Sequence, residues 1–311
     1  MNGSGDMKKK ILIATLLVLA MLPTACIWAP ASEKPVPQQT AVAPTCLAAP
    51  EGTGASVYAN VQYHIDTCLN DGTEYAVYLA YPQQTAETYS YNSHQMRSAS
   101  MIKVFLLEAA MYQVSQGNAS LDEIMTLNGA NMVGGSGILA GYGEGAQLTL
   151  REILRLMITV SDNTATNMII DRFGMDSLNA YIRSRGYNDT ILQRKMMDYY
   201  AIDMGWENYS SVNDLGLYFN RVYNHQCVSY DLDELMLEFL FGQTDTDCFP
   251  AALPGRSIAH KTGALVGLYD DGGIIYQDGK DVILVIMTEN YTGEYTAIQH
   301  MKYFAQAVTD W

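Results

Sequence analysis

Apolar residues return at Val57, Val61, Ile65 and Cys68, close to a helical period, and predict an opening helix over 55–68. Residues 75–81 and 88–91 then read as two strands separated by Pro82-Gln83-Gln84-Thr85, a hairpin signal. A helix is expected to begin just before Ser100, with Ile102, Phe105, Leu106 and Ala109 on its apolar stripe. From 116 to 243 the pattern is mostly helical, with clear runs at 150–160, 164–173, 211–222 and 231–241. Ser211 followed by Asp214 fits a capping box, a hydroxyl at the N-cap and a carboxylate three residues on. The end of the chain reverts to strands at 258–264, 273–276 and 281–287, separated by Gly and Asp turns, before a closing helix over 295–308. Strands at both ends of a helical middle imply an α/β (α+β) fold. One antiparallel sheet is built from both chain ends and flanked by helices, with an all-α subdomain inserted and a ligand cleft at the junction.

N-terminal to position 51 the pattern changes character. Met7 is followed by Lys8-Lys9-Lys10 and a continuous apolar run over 11–22, the layout of an export signal occupying 1–26 with its start at Met7. The run closes on Leu22-Pro23-Thr24-Ala25-Cys26, similar to a bacterial lipoprotein cleavage site, which marks Cys26 for lipidation; a plain secreted protein or an uncleaved anchor is the alternative. Pro30, Pro35, Pro37, Pro44 and Pro50 among Ala, Gln and Thr make 27–50 a semi-rigid tether without a core. The folded domain is therefore expected over 51–311, exported and touching a membrane only through its N-terminal anchor.

The chain's 311 residues, 49% of them hydrophobic, suffice for one large domain or two intimately packed ones. A formal charge of −15 argues against a nucleic-acid surface, which needs clustered Lys and Arg, and is read as solubility. With Cys26 lipidated, Cys46, Cys68, Cys227 and Cys248 remain for disulfides in an oxidising compartment, and Cys227 with Cys248, flanking one predicted helix, is the expected pair. Neither these cysteines nor His64, His94, His225, His260 and His300 have metal-site spacing, so no metal and no cofactor is called for. A monomer is the default.

Three short motifs carry chemistry. Ser100-Met101-Ile102-Lys103 puts a hydroxyl and an amine three residues apart on nearly one helix face, at an N-terminus whose dipole favours developing negative charge. Lys103 can take the Ser100 proton only when neutral, and a neighbouring Lys261 favours that state. Alone, this spacing recurs by chance about once in a chain of this length, as an ordinary helix start with a solvated lysine. Ser161-Asp162-Asn163 falls in a tight inter-helix loop: Ser161 can relay a proton to a departing nitrogen, and Asn163 can recognise a substrate amide. The same residues serve equally as an N-cap for the following helix. Lys261-Thr262-Gly263 lies on a strand, offering a cation and a hydroxyl to a substrate carboxylate, with Gly263 leaving room for substrate against the backbone; a protected edge strand has the same look. The N–H groups of Ala264 and Ser100 can form an oxyanion hole, each donor worth roughly 3–4 kcal/mol.

In this order, 61 and then 100 residues apart, the motifs resemble those of the class A β-lactamase family, within the broader class-A-like serine hydrolases. The likeness covers about 55–311. It includes Gly134-Gly135-Ser136-Gly137-Ile138-Leu139, Leu148 to Leu154, Met157 to Asn167, Ala259 to Gly263, and Asp270-Asp271-Gly272-Gly273-Ile274, the last resembling the family's turn after its Lys-Thr-Gly strand. It implies a β-lactamase/penicillin-binding-protein-like fold and a β-lactamase that forms an acyl-enzyme on Ser100, with Lys103, Ser161 and Lys261 catalytic and Asn163, Thr262, Gly263 and Ala264 binding substrate. The family's Glu-x-x-Leu-Asn loop, whose glutamate activates the deacylating water, has no counterpart in 192–203. Arg194 resembles the arginine that begins that loop, and Asn167 the asparagine that steadies the glutamate. Asp198 and Asp203 are the nearest carboxylates, either as substitute base or as ion-pair partners of Arg194. Substrates are accordingly β-lactams or peptidoglycan-peptide-like molecules, with a D-alanyl-D-alanine peptidase-like enzyme or a slowly deacylating penicillin-binding or receptor protein as alternative.

Overall fold

The computed structural model of the protein describes residues 57–310; the expected export signal, Cys26 and the 27–50 tether lie outside them. In chain order the strands are β1 Glu74–Ala80, β2 Thr88–Tyr91, β3 Met96–Arg97, β4 Ile124–Thr126, β5 Gln147–Thr149, β6 Tyr209–Ser210, β7 Ser257–Leu265, β8 Leu268–Tyr276 and β9 Val282–Glu289. The α-helices are α1 Val61–Cys68, α2 Ile102–Ser115, α3 Leu150–Thr159, α4 Asn163–Phe173, α5 Met175–Ser184, α6 Tyr199–Asp203, α7 Val212–Tyr223, α8 Tyr230–Phe241, α9 Phe249–Ala252 and α10 Glu294–Thr309. Five strands form one antiparallel sheet in the order β2-β1-β9-β8-β7, so both chain ends complete it as expected. β3 with β6 and β4 with β5 make two small ribbons among the helices.

Alternation along β1 divides the interior. Ala76, Tyr78 and Ala80 face a core shared with α2, α3, α4, α7 and α8; Tyr75, Val77 and Leu79 face a second core under α1 and α10. The sheet is thus covered on both faces, and the inserted helices stand on one of them.

Four local expectations change. α2 has no single apolar stripe: every residue from Ile102 to Met111 is buried, because the helix runs through the middle of the helical lobe. β8 extends back to Leu268 through Asp270 and Asp271, which read as a turn by composition, and both carboxyls are fully buried. The capping box is half made: Ser211 Oγ accepts from Asp214 N at 3.2 Å, while the Asp214 carboxylate turns to Asp189 N (2.8 Å) and the Thr190 hydroxyl (2.7 Å). Finally, Cys227 and Cys248 are free thiols, and they cannot pair because they are buried in different cores on opposite faces of the sheet. Cys68 is disulfide-bonded instead. Among the described residues no helix is long and apolar enough to cross a membrane.

Candidate active site

Ser100 sits half-buried in a 3-10 turn, Ala99–Met101, that leads directly into α2. Ala99 holds φ at +42°, a left-handed conformation that a side chain resists, so the surrounding packing fixes this bend. One turn on, the fully buried Lys103 sends Nζ to Ser161 O (2.6 Å), Ser161 Oγ (3.1 Å) and Asn163 Oδ1 (2.9 Å).

The Ser161 loop is held by its own motif. Ser161 has φ +52°, and the buried Asp162 caps α4 by accepting from Ala165 N at 2.8 Å. Its other oxygen takes the N–H groups of Ile138 and Leu139, both at 2.7 Å, so one carboxylate fixes the start of α4 and the neighbouring Gly-rich loop. Asn163 Nδ2 donates to Gly134 O at 3.1 Å, leaving its second N–H for a ligand. A Cβ on Gly135, whose φ is +79°, would stand 2.7 Å from that Nδ2; only glycine lets the loop close on Asn163. The N-cap reading of this motif holds through Asp162, and Ser161 and Asn163 face the lysines.

β7 brings the third motif alongside. Lys261 is fully buried and donates to Ser161 Oγ (3.0 Å) and Thr262 O (2.7 Å). The two lysines thus meet at one hydroxyl oxygen. Burial, then the proximity of Lys261, pushes the Lys103 amine well below its ordinary range, against a smaller pull from Asp162. Burial lowers Lys261 to about 7, with the Asp245 and Asp271 carboxylates opposing. Three acceptors around Lys103 suit an ammonium, but the burial and the second cation are the larger effects and favour the neutral amine.

Gly263 permits close approach: a Cβ there would lie 3.2 Å from Ser100 N and 3.2 Å from Ala99 Cβ. β7 is the last strand of the sheet, and its hairpin with β8 closes at Leu265↔Leu268 around Val266-Gly267. Tyr269, opposite Ala264, sends its N–H to Thr288 Oγ1 on the β9 side, so Ala264 and Tyr269 are a non-hydrogen-bonded pair. Ala264 N–H consequently points off the open edge, on the strand that packs against Ser100. Thr262 is buried on the same strand.

The loop after Arg194 is organised differently from either reading of Asp198 and Asp203. Asp198 caps α6, accepting from Ala201 N at 3.0 Å, and Asp203 is exposed at the end of that helix. Arg194 pairs instead with Glu207, while Asn208 Oδ1 accepts from Gln193 N (2.8 Å) and Arg194 N (3.0 Å). Asn167 holds the backbone of Met196 at both ends, accepting from its N–H at 2.8 Å and donating to its carbonyl at 3.2 Å. Glu207, Asn208 and Met196 escaped the sequence reading because nothing in their local pattern marks a loop neck that closes through distant partners.

A serine at a helix start, two lysines meeting at a second serine, and an edge N–H beside the first are the parts that a serine acyl-transfer site built without histidine requires. The model of the Beta-lactamase enzyme family matches residues 61–311, and the chain belongs to that family. Among solved structures it is similar to a β-lactamase from Sphaerobacter thermophilus, with 27% identity, TM-score 0.73, and 80% of this chain and 95% of the other covered. It shares its fold with PBP-A at 24% identity and TM-score 0.74, covering 81% of this chain and 95% of that one. A PBP-A mutant solved as an acyl-enzyme with penicillin G aligns likewise, at 24% identity and TM-score 0.73, over 81% and 94% of the two chains. No curated protein matches the chain in a sequence comparison.

Proposed function

We propose that the protein is a β-lactam-reactive serine hydrolase that acylates rapidly on Ser100 and releases the acyl group slowly, closer to a penicillin-binding enzyme than to a fast β-lactamase. Ser100 Oγ attacks the lactam carbonyl and its proton passes to neutral Lys103. The oxyanion is met by the N–H groups of Ser100 and Ala264. The carbonyl–nitrogen bond then breaks, and Ser161 protonates the leaving nitrogen and is reprotonated from Lys103. The 3.1 Å Lys103–Ser161 contact serves this relay in either direction, since a neutral amine accepts as well as donates. Lys261 and Thr262 hold the substrate carboxylate, and the free Asn163 N–H holds its amide.

The observation that carries slow release is the residue in Asn167's grip. The resemblance assigns Asn167 to steadying a water-activating glutamate, and here it grips Met196, a thioether with no basic oxygen. Water activation is worth roughly 100- to 10,000-fold, and Asp198 and Asp203 are engaged or turned to solvent. Peptidoglycan-peptide-like amides ending in a carboxylate suit the same parts. The test is intact-mass measurement of residues 51–311 mixed with penicillin. A Ser100-dependent adduct lasting many minutes is expected, and turnover without an accumulating adduct would overturn slow release.

We infer also that the protein works outside the cytoplasm, tethered through Cys26, from the basic start, apolar run and cysteine of residues 7–26. Cys26→Ser should shift the protein from the membrane fraction to the medium; unchanged fractionation would refute the anchor.

A further inference from the structure

The β8–β9 ladder ends at Asp271↔Ile286, yet the hairpin beyond it remains tied to β9 by side chains. Thr288 Oγ1 accepts from Tyr269 N (2.9 Å) and donates back to Tyr269 O (2.7 Å). Thr288 N donates to Asp270 Oδ1 at 2.9 Å. A threonine hydroxyl and a carboxyl thus stand in for the backbone rungs at Tyr269 and Asp270, while one backbone bond, Tyr291 N to Gly267 O at 3.2 Å, ties the hairpin tip. Across β7–β8 the residues opposite this clasp are Ala264, facing Tyr269, and Gly263, facing Asp270.

Opposed residues of an antiparallel pair point to the same face. Gly263 faces the Ala99–Ser100 turn, so Asp270 is directed to that side as well. Asp270 is fully buried there; among the described residues its Oδ2 has no hydrogen-bond partner, and neither has the buried Ser98 Oγ. Burial, and the nearby carboxylates of Glu289 and Asp271, push the Asp270 carboxyl well up, against the Thr288 N–H and Arg97. Burying a carboxyl has a cost that its one bond to Thr288 N does not explain.

We propose that Asp270 and Thr288 are positioning residues for acylation, holding the β7–β8 hairpin so that the Ala264 N–H and the Ser100 N–H face one oxyanion. The inference rests on the acyl-enzyme reading above. No strand pairs with Ala264 on its outer side, so its position depends on where β8 is held against β9. A displacement near 1 Å at such a donor costs on the order of 100-fold in rate.

The experiment measures penicillin acylation by intact mass over a concentration series, separating the acylation rate from the non-covalent dissociation constant. The proteins compared are the wild type, Asp270→Leu, Asp270→Asn and Thr288→Val. Asp270→Leu and Thr288→Val should acylate about 100-fold more slowly, with the dissociation constant within about threefold. Asp270→Asn, which keeps an acceptor toward Thr288 N, should rescue the rate to within about threefold of wild type. Wild-type rates in Thr288→Val, or in folded Asp270→Leu, would overturn the proposal. So would losses confined to the dissociation constant, or an asparagine variant as slow as the leucine one. If Asp270→Leu does not fold, Thr288→Val decides. A wild type that forms no adduct overturns the acyl-enzyme reading itself.

Discussion

Two ammonium groups cannot comfortably share one buried hydroxyl, and the charge states of Lys103 and Lys261 decide what Ser161 can do. Lys103 is needed neutral and Lys261 charged, so acylation should rise with pH as Lys103 loses its proton and fall as Lys261 loses its own. Because the Lys261 value is lowered to about 7, the cation proposed to hold a substrate carboxylate is present below pH 7 and disappears above it. The second-order acylation rate constant for a carboxylate-bearing penicillin should therefore decline above pH 7, approaching tenfold per unit. A flat profile to pH 9 would show that Lys261 stays charged. At the deacylation step the matching change is Met196→Glu, which places a carboxylate of similar length where Asn167 holds the backbone. Release of the acyl group should accelerate by about 100-fold or more, while Met196→Gln, equal in size but not basic, should leave the adduct as durable as in the wild type. The four principal candidate residues were legible because each sits in a short motif, and the structure brings Lys103, Ser161 and Lys261 together. Met196 was not, since its meaning comes from an asparagine 29 positions away in the sequence.

At the scale of elements, periodicity located most helices and strands with one buried face, though α1 begins at Val61, with turn over 57–60 where helix was expected. α3, α4, α7, α8 and α10 begin and end within two residues of the predicted runs, and β2 matches its run. It failed where polar residues are buried with partners. β8 was read short because Asp270-Asp271-Gly272 looks like a turn; in place, Asp271 accepts from Phe249 N at 3.0 Å and meets His260 Nδ1 at 2.8 Å. The two small ribbons and α5 carried signals too short or too polar to separate from loop. Asp162 shows how much one side chain can contribute to an element: it caps α4 and satisfies two N–H groups of a loop 23 and 24 residues away. Asp162→Ala removes the cap, worth about 1 kcal/mol, and leaves the Leu139 N–H buried without an acceptor, a further 1–3 kcal/mol or so. Thermal unfolding should show a Tm lower by about 5–10 °C, with faster amide exchange in 134–139 even below it. A variant with wild-type exchange in that loop would mean that the Gly-rich segment holds itself.

The described residues form two cores, one on each face of the five-stranded sheet, and the strands of that sheet belong to both. Along β1 alternate side chains enter one core or the other, and β8 and β9 are buried on both faces. Neither the helical lobe nor the layer of α1 and α10 can lose its packing without exposing half of every central strand. Unfolding should accordingly be a single cooperative transition. The two free thiols provide the probe. Cys227 lies in the helical-side core and Cys248 in the opposite one, and burial raises both thiols well above their ordinary range, so neither should react with a thiol reagent in the native state. In a denaturant series, quantified by mass spectrometry after digestion, both should become labelled at one midpoint that coincides with loss of helical circular dichroism. Labelling of Cys248 at lower denaturant than Cys227 would mean that the α1–α10 layer unfolds by itself. That would refute the shared sheet as the source of cooperativity, because the strands would then remain ordered with one face stripped.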